Sequence, residues 1–248
     1  MATREEIIHK INKIKESLSV ELPSTPLPLP PEIWPVGDRT PETLLAAFER
    51  NLTAVAGEVV RCADRAVAVQ KIIEQLQALA DSRNAANAEE PLEWGIQPGE
   101  RTEAVAESVC GAWGKNPNAE KNPLTRIFRP ENPEDADPKK LETFAASLVG
   151  AEVLLADTGS AAICARSAFE RLLCYLAPVC FIVAGQSALR EHLPHAWPEL
   201  SGKMKKDEAP HGEILLMTGP SRTADIEKTL ILGVHGPKKV VVFIVENE

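Results

Sequence analysis

Two short segments combine an acid, hydroxyls and a cation within a few residues, which is the raw material of an anion site. In the first, Asp157-Thr158-Gly159-Ser160 follows the apolar run Val153-Leu154-Leu155-Ala156. Open α/β sheets place ligands beyond the ends of their strands, so these four residues are candidate ligand contacts. Read as a plain turn, Asp157 would bond its own backbone instead. In the second, Gly219-Pro220-Ser221-Arg222-Thr223 follows Ile214-Leu215-Leu216-Met217. If a helix starts after this glycine turn, free N–H groups, two hydroxyls and a guanidinium converge on an anion. The competing reading is capping, with Arg222 paired to Asp225 or Glu227. Gly219, Ser221, Arg222 and Thr223 are candidate ligand contacts on the first reading. A guanidinium at a helix N-terminus opposes the macrodipole, so Arg222 calls for an anionic ligand or an acid such as Asp157.

Other reactive residue types form no catalytic pattern. His235 between Gly233 and Gly236 has the chemistry of a general acid or base, though a turn histidine bonded to backbone is the simpler reading. His192 and His195 straddle Pro194 and read as loop residues, not as a helical metal pair. The five cysteines are scattered without C-x-x-C spacing, which points to no disulfide framework, metal or cofactor, and to a reduced cytoplasm. Cys164 and Cys180 read as core-facing apolar groups. No Walker, G-x-S-x-G or H-E-x-x-H motif occurs.

The elements that would carry these residues alternate in type. Ile7, Ile11, Ile14 and Leu18 mark a short helix, and six prolines between residues 23 and 35 form an extended arm. The arm is either a tail or a strap that docks on this subunit or on a neighbour in a homo-oligomer. Thr40-Pro41 opens a helix through Leu52, Gly57–Val60 reads as a strand, and Val69 to Leu79 returns to helical spacing. Residues 111–140 read as a long loop. Its acidic run Glu131 to Asp137 lacks the alternation and turn glycine of a calcium loop. Unbroken apolar runs at Val153–Ala156, Val179–Val183, Ile214–Met217 and Val240–Val245 are what strands look like when both faces are covered. The expected fold is a three-layer α/β/α sandwich around a mostly parallel sheet. Its domain spans residues 35–248, and the helix and arm occupy 1–34. A helix over residues 224–232 should join the last two strands.

Composition narrows the partners. Acidic residues outnumber basic ones by 36 to 27, so the surface repels phosphate backbones and nucleic acid is excluded. The longest charge-free stretch, Leu172 to Leu189, contains Pro178 and Gly185 and suits a core better than a bilayer, so no membrane span is expected.

The residues from Met217 to Glu227, continued through Leu232-Gly233-Val234-His235-Gly236-Pro237, resemble the signature of the LUD-domain family, which includes lactate-utilisation protein C and YkgG-type proteins. Gly150-Ala151 with Ala156 to Ser160 is similar to the family's central motif. Leu176 to Val183 resembles its "LPP-H-I-V" strand, with Cys180 where His is common. One departure is clear: no glycine lies between Gly159 and Gly185, and Arg166 to Arg171 fill a place where relatives carry a glycine-containing stretch. The resemblance implies a NagB/RpiA/CoA-transferase-like fold. It also implies a part in oxidising L-lactate to pyruvate beside iron-sulfur partner proteins, with no redox centre in this chain. The alternative is an enzyme or sensor whose anion pocket takes a phosphate, nucleotide, CoA or carboxylate.

Overall fold

The computed structural model describes residues 8–10, 13, 40–85, 92–115, 119–120, 123–127, 137–206, 212–224, 230–232 and 236–247. The chain divides into two compact units, Met1–Gly37 and Asp38–Glu248. In the first, the described residues are helical and exposed. The rest of the expected amphipathic helix and the proline arm lie outside the described residues.

In the second unit, helix α1 (Pro41–Ala54) opens as its residues dictate: the Thr40 hydroxyl accepts from Thr43 N at 3.3 Å, and Pro41 fills a position with no N–H to satisfy. Strand β1 (Glu58–Cys62), helix α2 (Arg65–Ala85), β2 (Leu92–Ile96) and helix α3 (Glu100–Trp113) follow. The stretch read as a long loop contains structure. It supplies the end of α3, strand β3 (Leu124–Ile127) and the short helix α4 (Pro138–Glu142), capped by Asp137. The remainder of the acidic run lies outside the described residues. Next come β4 (Ala146–Gly150), β5 (Val153–Leu155), β6 (Ser160–Ala165), helix α5 (Ala168–Leu173) and β7 (Val179–Gly185). The chain continues with β8 (Leu189–Arg190), helix α6 (Leu193–Lys206), β9 (Glu213–Met217), β10 (Arg222–Ala224), β11 (Leu230–Leu232) and β12 (Lys239–Val245).

Six strands form one parallel sheet in the order β1-β12-β7-β4-β2-β3. This is the expected mostly parallel α/β sheet, and β7 and β12 are its buried centre. Their side chains alternate between two cores. Phe181, Val183, Val241 and Phe243 meet α2 and α3 on one face, while Cys180, Ile182, Val240 and Val242 meet α1, α5 and a second sheet on the other. Phe181 and Phe243 pack edge to face with centroids 5.8 Å apart. Parallel strands need both faces covered, which explains their unbroken apolar runs.

Two of the expected central strands belong elsewhere. Val153–Leu155 and Glu213–Met217 join a four-stranded mixed sheet, β8-β5-β6-β9, whose inner face packs on the parallel sheet and whose outer face carries α6. Val153–Leu155 is apolar because both of its faces are covered, whereas in Glu213–Met217 only Leu215 and Met217 are buried and Leu216 is 45% exposed. The helix expected over 224–232 is replaced by an antiparallel ribbon, in which Arg222 pairs with Leu232 and Ala224 with Leu230. Inter-strand pairing there satisfies backbone groups that a helix would have satisfied internally.

Candidate functional site

Between β2 and β4 the parallel sheet has a point where neighbouring strands send the chain to opposite faces. After β2 the chain enters α3, whose Val105, Ala106 and Val109 pack with Trp94 and Ile96. After the adjacent β4 it crosses to the other face and enters β5, where Leu154 packs with Val149. Such a switch point leaves a crevice beyond the strand ends, the usual ligand position in open α/β sheets. Here the crevice has a volume of about 210 Å³ and is bounded by Gly99, Glu100, Arg101, Gly150, Glu152 and Arg166, among others.

Its floor is a buried polar network centred on Gln97, which is 5% exposed. The Gln97 side-chain carbonyl accepts from Gly150 N at 2.9 Å. Its amide donates to Cys164 O at 2.9 Å and to Glu170 Oε2 at 3.1 Å. This one side chain ties the ends of β2, β4 and β6 to helix α5. Glu170, 6% exposed, also accepts from Arg166 N and the Ser167 hydroxyl, while Ser167 caps α5 by accepting from Glu170 N. This variant of a capping box, with Glu170 reaching back to the N–H before the cap residue, is what the glycine-free segment after β6 builds. Thr102 donates to the carbonyls of Gln97 and Gly99, fixing the first turn of α3. Gly99 at the N-cap of α3 has no side chain to cap the first turn, where Glu103 N donates to Gly99 O at 2.9 Å. Arg101 reaches Ala151 O across the crevice, and Glu152 is paired with Lys203. Two guanidinium groups beside an uncapped helix start can hold a small anion.

A larger hollow of about 550 Å³ lies over the carboxyl ends of β1, β7 and β12. Arg61 on its wall is paired with Glu49, which holds the guanidinium above its ordinary pKa. Among the described residues it has no buried polar floor like that of Gln97 and Glu170, and the switch-point crevice is the better built of the two.

Of the segments singled out in the sequence, the first reaches Thr218, the residue before the second, at the end of the second sheet. Ser160 Oγ lies 2.5 Å from Thr218 Oγ1 and donates to Thr158 Oγ1 at 2.8 Å. Asn51 of α1 donates to the carbonyls of Ala156 and Asp157 at 2.7 and 2.9 Å. Gly159, at φ +66°, lies so close to α1 that a Cβ would sit 2.3 Å from Leu52 N. Asp157 and Thr158 are exposed. Gly219 adopts φ +77° against Val55, and Ser221 N donates to Pro237 O at 2.9 Å. Because β10 and not a helix follows, the helix-dipole contribution expected around Arg222 drops out. The side chains of Arg222 and Thr223 lie outside the described residues, as does His235.

His192 and His195 were expected in a loop. Instead α6 begins between them, with Pro194 in its first turn, where a missing N–H costs nothing. The five cysteines form no disulfide, and Cys164 and Cys180 are buried as expected. Burial pushes the Cys62 thiol up to about 11, Cys180 to about 12, and Cys174 well above its ordinary value. The sequence reading missed the crevice because Gln97 and Gly150 are 53 positions apart. The one local signal was Gln97-Pro98-Gly99, a strand end running into a helix start.

Comparison with known proteins places these observations in a family. The family model for the LUD domain matches residues 45–245. Lactate utilization protein C of Bacillus pumilus is 29% identical over 107 residues, covering 43% of this chain and 45% of that protein. Lactate utilization protein C of Macrococcus caseolyticus is 30% identical over 97 residues, 39% of this chain and 42% of the relative. Uncharacterized protein YkgG of Escherichia coli is 30% identical over 100 residues, 40% and 43% of the two chains. The chain thus spans about half the length of the curated relatives it matches. Among solved structures, a DUF162 family protein from Deinococcus radiodurans superposes with a TM-score of 0.46 at 14% identity, covering 83% of this chain and 98% of that one.

Proposed function

The chain belongs to the LUD domain family, and from that premise we propose that it works in lactate utilisation as a component of L-lactate oxidation to pyruvate, binding a small carboxylate or phosphate anion and leaving electron transfer to iron-sulfur partner proteins. The observation that carries the anion part is the switch-point crevice, where Arg101, Arg166 and the uncapped start of α3 surround a rigid buried floor. Its volume of about 210 Å³ is below the roughly 300–1,000 Å³ of drug-sized ligand pockets. That favours a three-carbon acid or phosphate over a nucleotide or CoA ester. The lactate part is supported by the names of the matching relatives. The redox part is supported by the thiols: Cys62, Cys174 and Cys180 all have raised pKa values, and protonated thiols are poor nucleophiles and poor ligands.

The test is a thermal-shift series with L-lactate, pyruvate, inorganic phosphate, nucleotides and CoA esters on the wild type and Arg101→Ala. A ligand at a hundredfold excess over its Kd adds about 2.7 kcal/mol of stability. The expected result is a shift with a small anion that Arg101→Ala removes without lowering the ligand-free Tm. A response only to nucleotides or CoA esters would move the assignment to a sensor or enzyme of another kind. Lactate oxidation by the purified chain alone, or stoichiometric iron-sulfur absorbance after anaerobic purification, would overturn the redox part.

A further inference from the structure

We propose that Glu191, His192 and His195 form a binding site for one first-row divalent transition-metal ion of the Zn²⁺ class. The three side chains each offer a ligand atom, and these atoms all lie within 4.8 Å of one another. The grouping does not depend on the anion crevice, and it arises where three constraints on the backbone meet. Strand β8 pairs in parallel with β5, and the pairing extends past it: Ala156 N donates to Arg190 O at 2.8 Å and Asp157 N to Glu191 O at 2.9 Å. Glu191 is therefore fixed beside the 157–160 turn. His192 directly precedes α6, and its carbonyl accepts from His195 N at 3.1 Å and Ala196 N at 3.3 Å. That helical start brings His195 back over His192, with ring centroids 3.9 Å apart and planes tilted by 37°. Glu191 Oε2 lies 3.6 Å from His195 Nδ1.

The donor set chooses the ion. Two imidazoles and one carboxylate suit Zn²⁺, Co²⁺, Ni²⁺ or Fe²⁺, whereas Mg²⁺ and Ca²⁺ take oxygen ligands almost exclusively. Tetrahedral Zn²⁺, with bonds of about 2.0–2.1 Å, holds its donor atoms about 3.3 Å apart. Closing to that spacing and turning the two stacked imidazoles so that their lone pairs converge on one ion requires rotation of the less buried members. His192 is 2% exposed, while the side chains of Glu191 and His195 are 16% and 35% exposed. One ligand is thus anchored in the interior, and the remaining coordination position opens toward solvent on the His195 side. His192 Nδ1 also lies 3.4 Å from His195 N, a long contact to an amide that the His192 carbonyl already accepts. The positive end of α6 opposes a cation, and the Glu191 carboxylate offsets it.

The test is a titration of the full chain with Co²⁺, followed by visible absorption and by competition with Zn²⁺ and Mg²⁺. One equivalent should bind with the intense bands of a low-coordinate cobalt site, and Zn²⁺ should displace it while Mg²⁺ does not. Changing groups that merely support metal ligands costs roughly 10–100-fold in affinity, so His195→Ala and Glu191→Gln should each weaken binding by about a hundredfold or more. Far-UV circular dichroism checks that both variants fold. X-ray absorption of the zinc-loaded wild type gives a readout independent of any variant, with two imidazole ligands expected. Absence of saturable uptake, thiolate ligands in the absorption spectrum, or undiminished affinity in both variants would overturn the proposal, the last by moving the ion to His9, His211 or His235.

Discussion

At the scale of single residues, burial sets the chemistry of the thiols and the rigidity of the crevice. Cys180 is fully buried, and desolvation pushes its thiol from 9.0 up to about 12. The folded pKa is raised, so this contribution to stability is whole below pH 9 and is lost as pH climbs toward 12, where only the unfolded chain ionises readily. Cys180→Ala should therefore show a shallower loss of stability between pH 9 and 11 than the wild type in urea unfolding. Parallel pH profiles would contradict the burial argument. Gln97 makes a second residue-scale case, because three groups depend on its amide. Leaving a buried polar group without its partner costs about 1–3 kcal/mol. Gln97→Ala should lose at least about 2 kcal/mol and weaken any anion effect with it. A loss within about 0.5 kcal/mol, typical of an uninvolved surface site, would remove the network from the account.

At the scale of elements, two backbone positions bind α1 to its neighbours and can be tested in opposite directions. Helix α1 ends with Ala56 at φ +66°, while Gly57 N and Ala56 N return to the carbonyls of Leu52 and Thr53. A left-handed conformation costs a non-glycine residue about 1–2 kcal/mol. Ala56→Gly should accordingly raise stability by about 1 kcal/mol in urea unfolding. Gly159 also has positive φ, but here an added Cβ meets Leu52 backbone nitrogen, which cannot swing aside. Gly159→Ala should cost at least about 2 kcal/mol, combining the conformational penalty with overpacking. If the two substitutions had effects of the same sign, the turn and α1 would not be in the contact described. The 157–160 turn thus has a clear structural role, anchoring α1 to the second sheet through Asn51 and Gly159.

At the scale of the whole unit Asp38–Glu248, the parallel sheet is shared by two cores. Phe48 of α1 lies in one and Phe243 of β12 in the other, each 0% exposed. Strands β7 and β12 supply side chains to both, so neither core can empty without stripping a face from the same sheet. We propose that the unit Asp38–Glu248 is a single domain. Phe48→Ala and Phe243→Ala should each cost about 3–5 kcal/mol and shift one common transition in differential scanning calorimetry. Two transitions, with each variant moving only one, would divide the domain. The same architecture explains why the described residues include no helix long and apolar enough to cross a membrane. Its central strands Val179–Gly185 and Lys239–Val245 are only seven residues each.

The sequence by itself determined what depends on near neighbours. Thr40-Pro41 started a helix because a hydroxyl and a ring without N–H suit its first turn wherever it lies. Val179–Val183 and Val240–Val245 became buried parallel strands because an unbroken apolar run tolerates water on neither face. The family was legible for a similar reason, since its signature is contiguous. What the tertiary structure alone decided is pairing. Ile214–Met217 is as apolar as β12, yet it lies antiparallel to β6 in the second sheet, a choice made by partners about fifty positions away. The stretch 222–232 had cap-like residues suited to a helix, but β10 and β11 close on each other as a ribbon. The crevice requires β2 beside β4 so that Gln97 can reach Gly150. Glu191 and the two histidines, by contrast, are near neighbours in sequence, brought together by the start of α6. Spacing along the chain reports local conformation, whereas a site made by strand adjacency depends on contacts between distant segments, and only the folded chain supplies those.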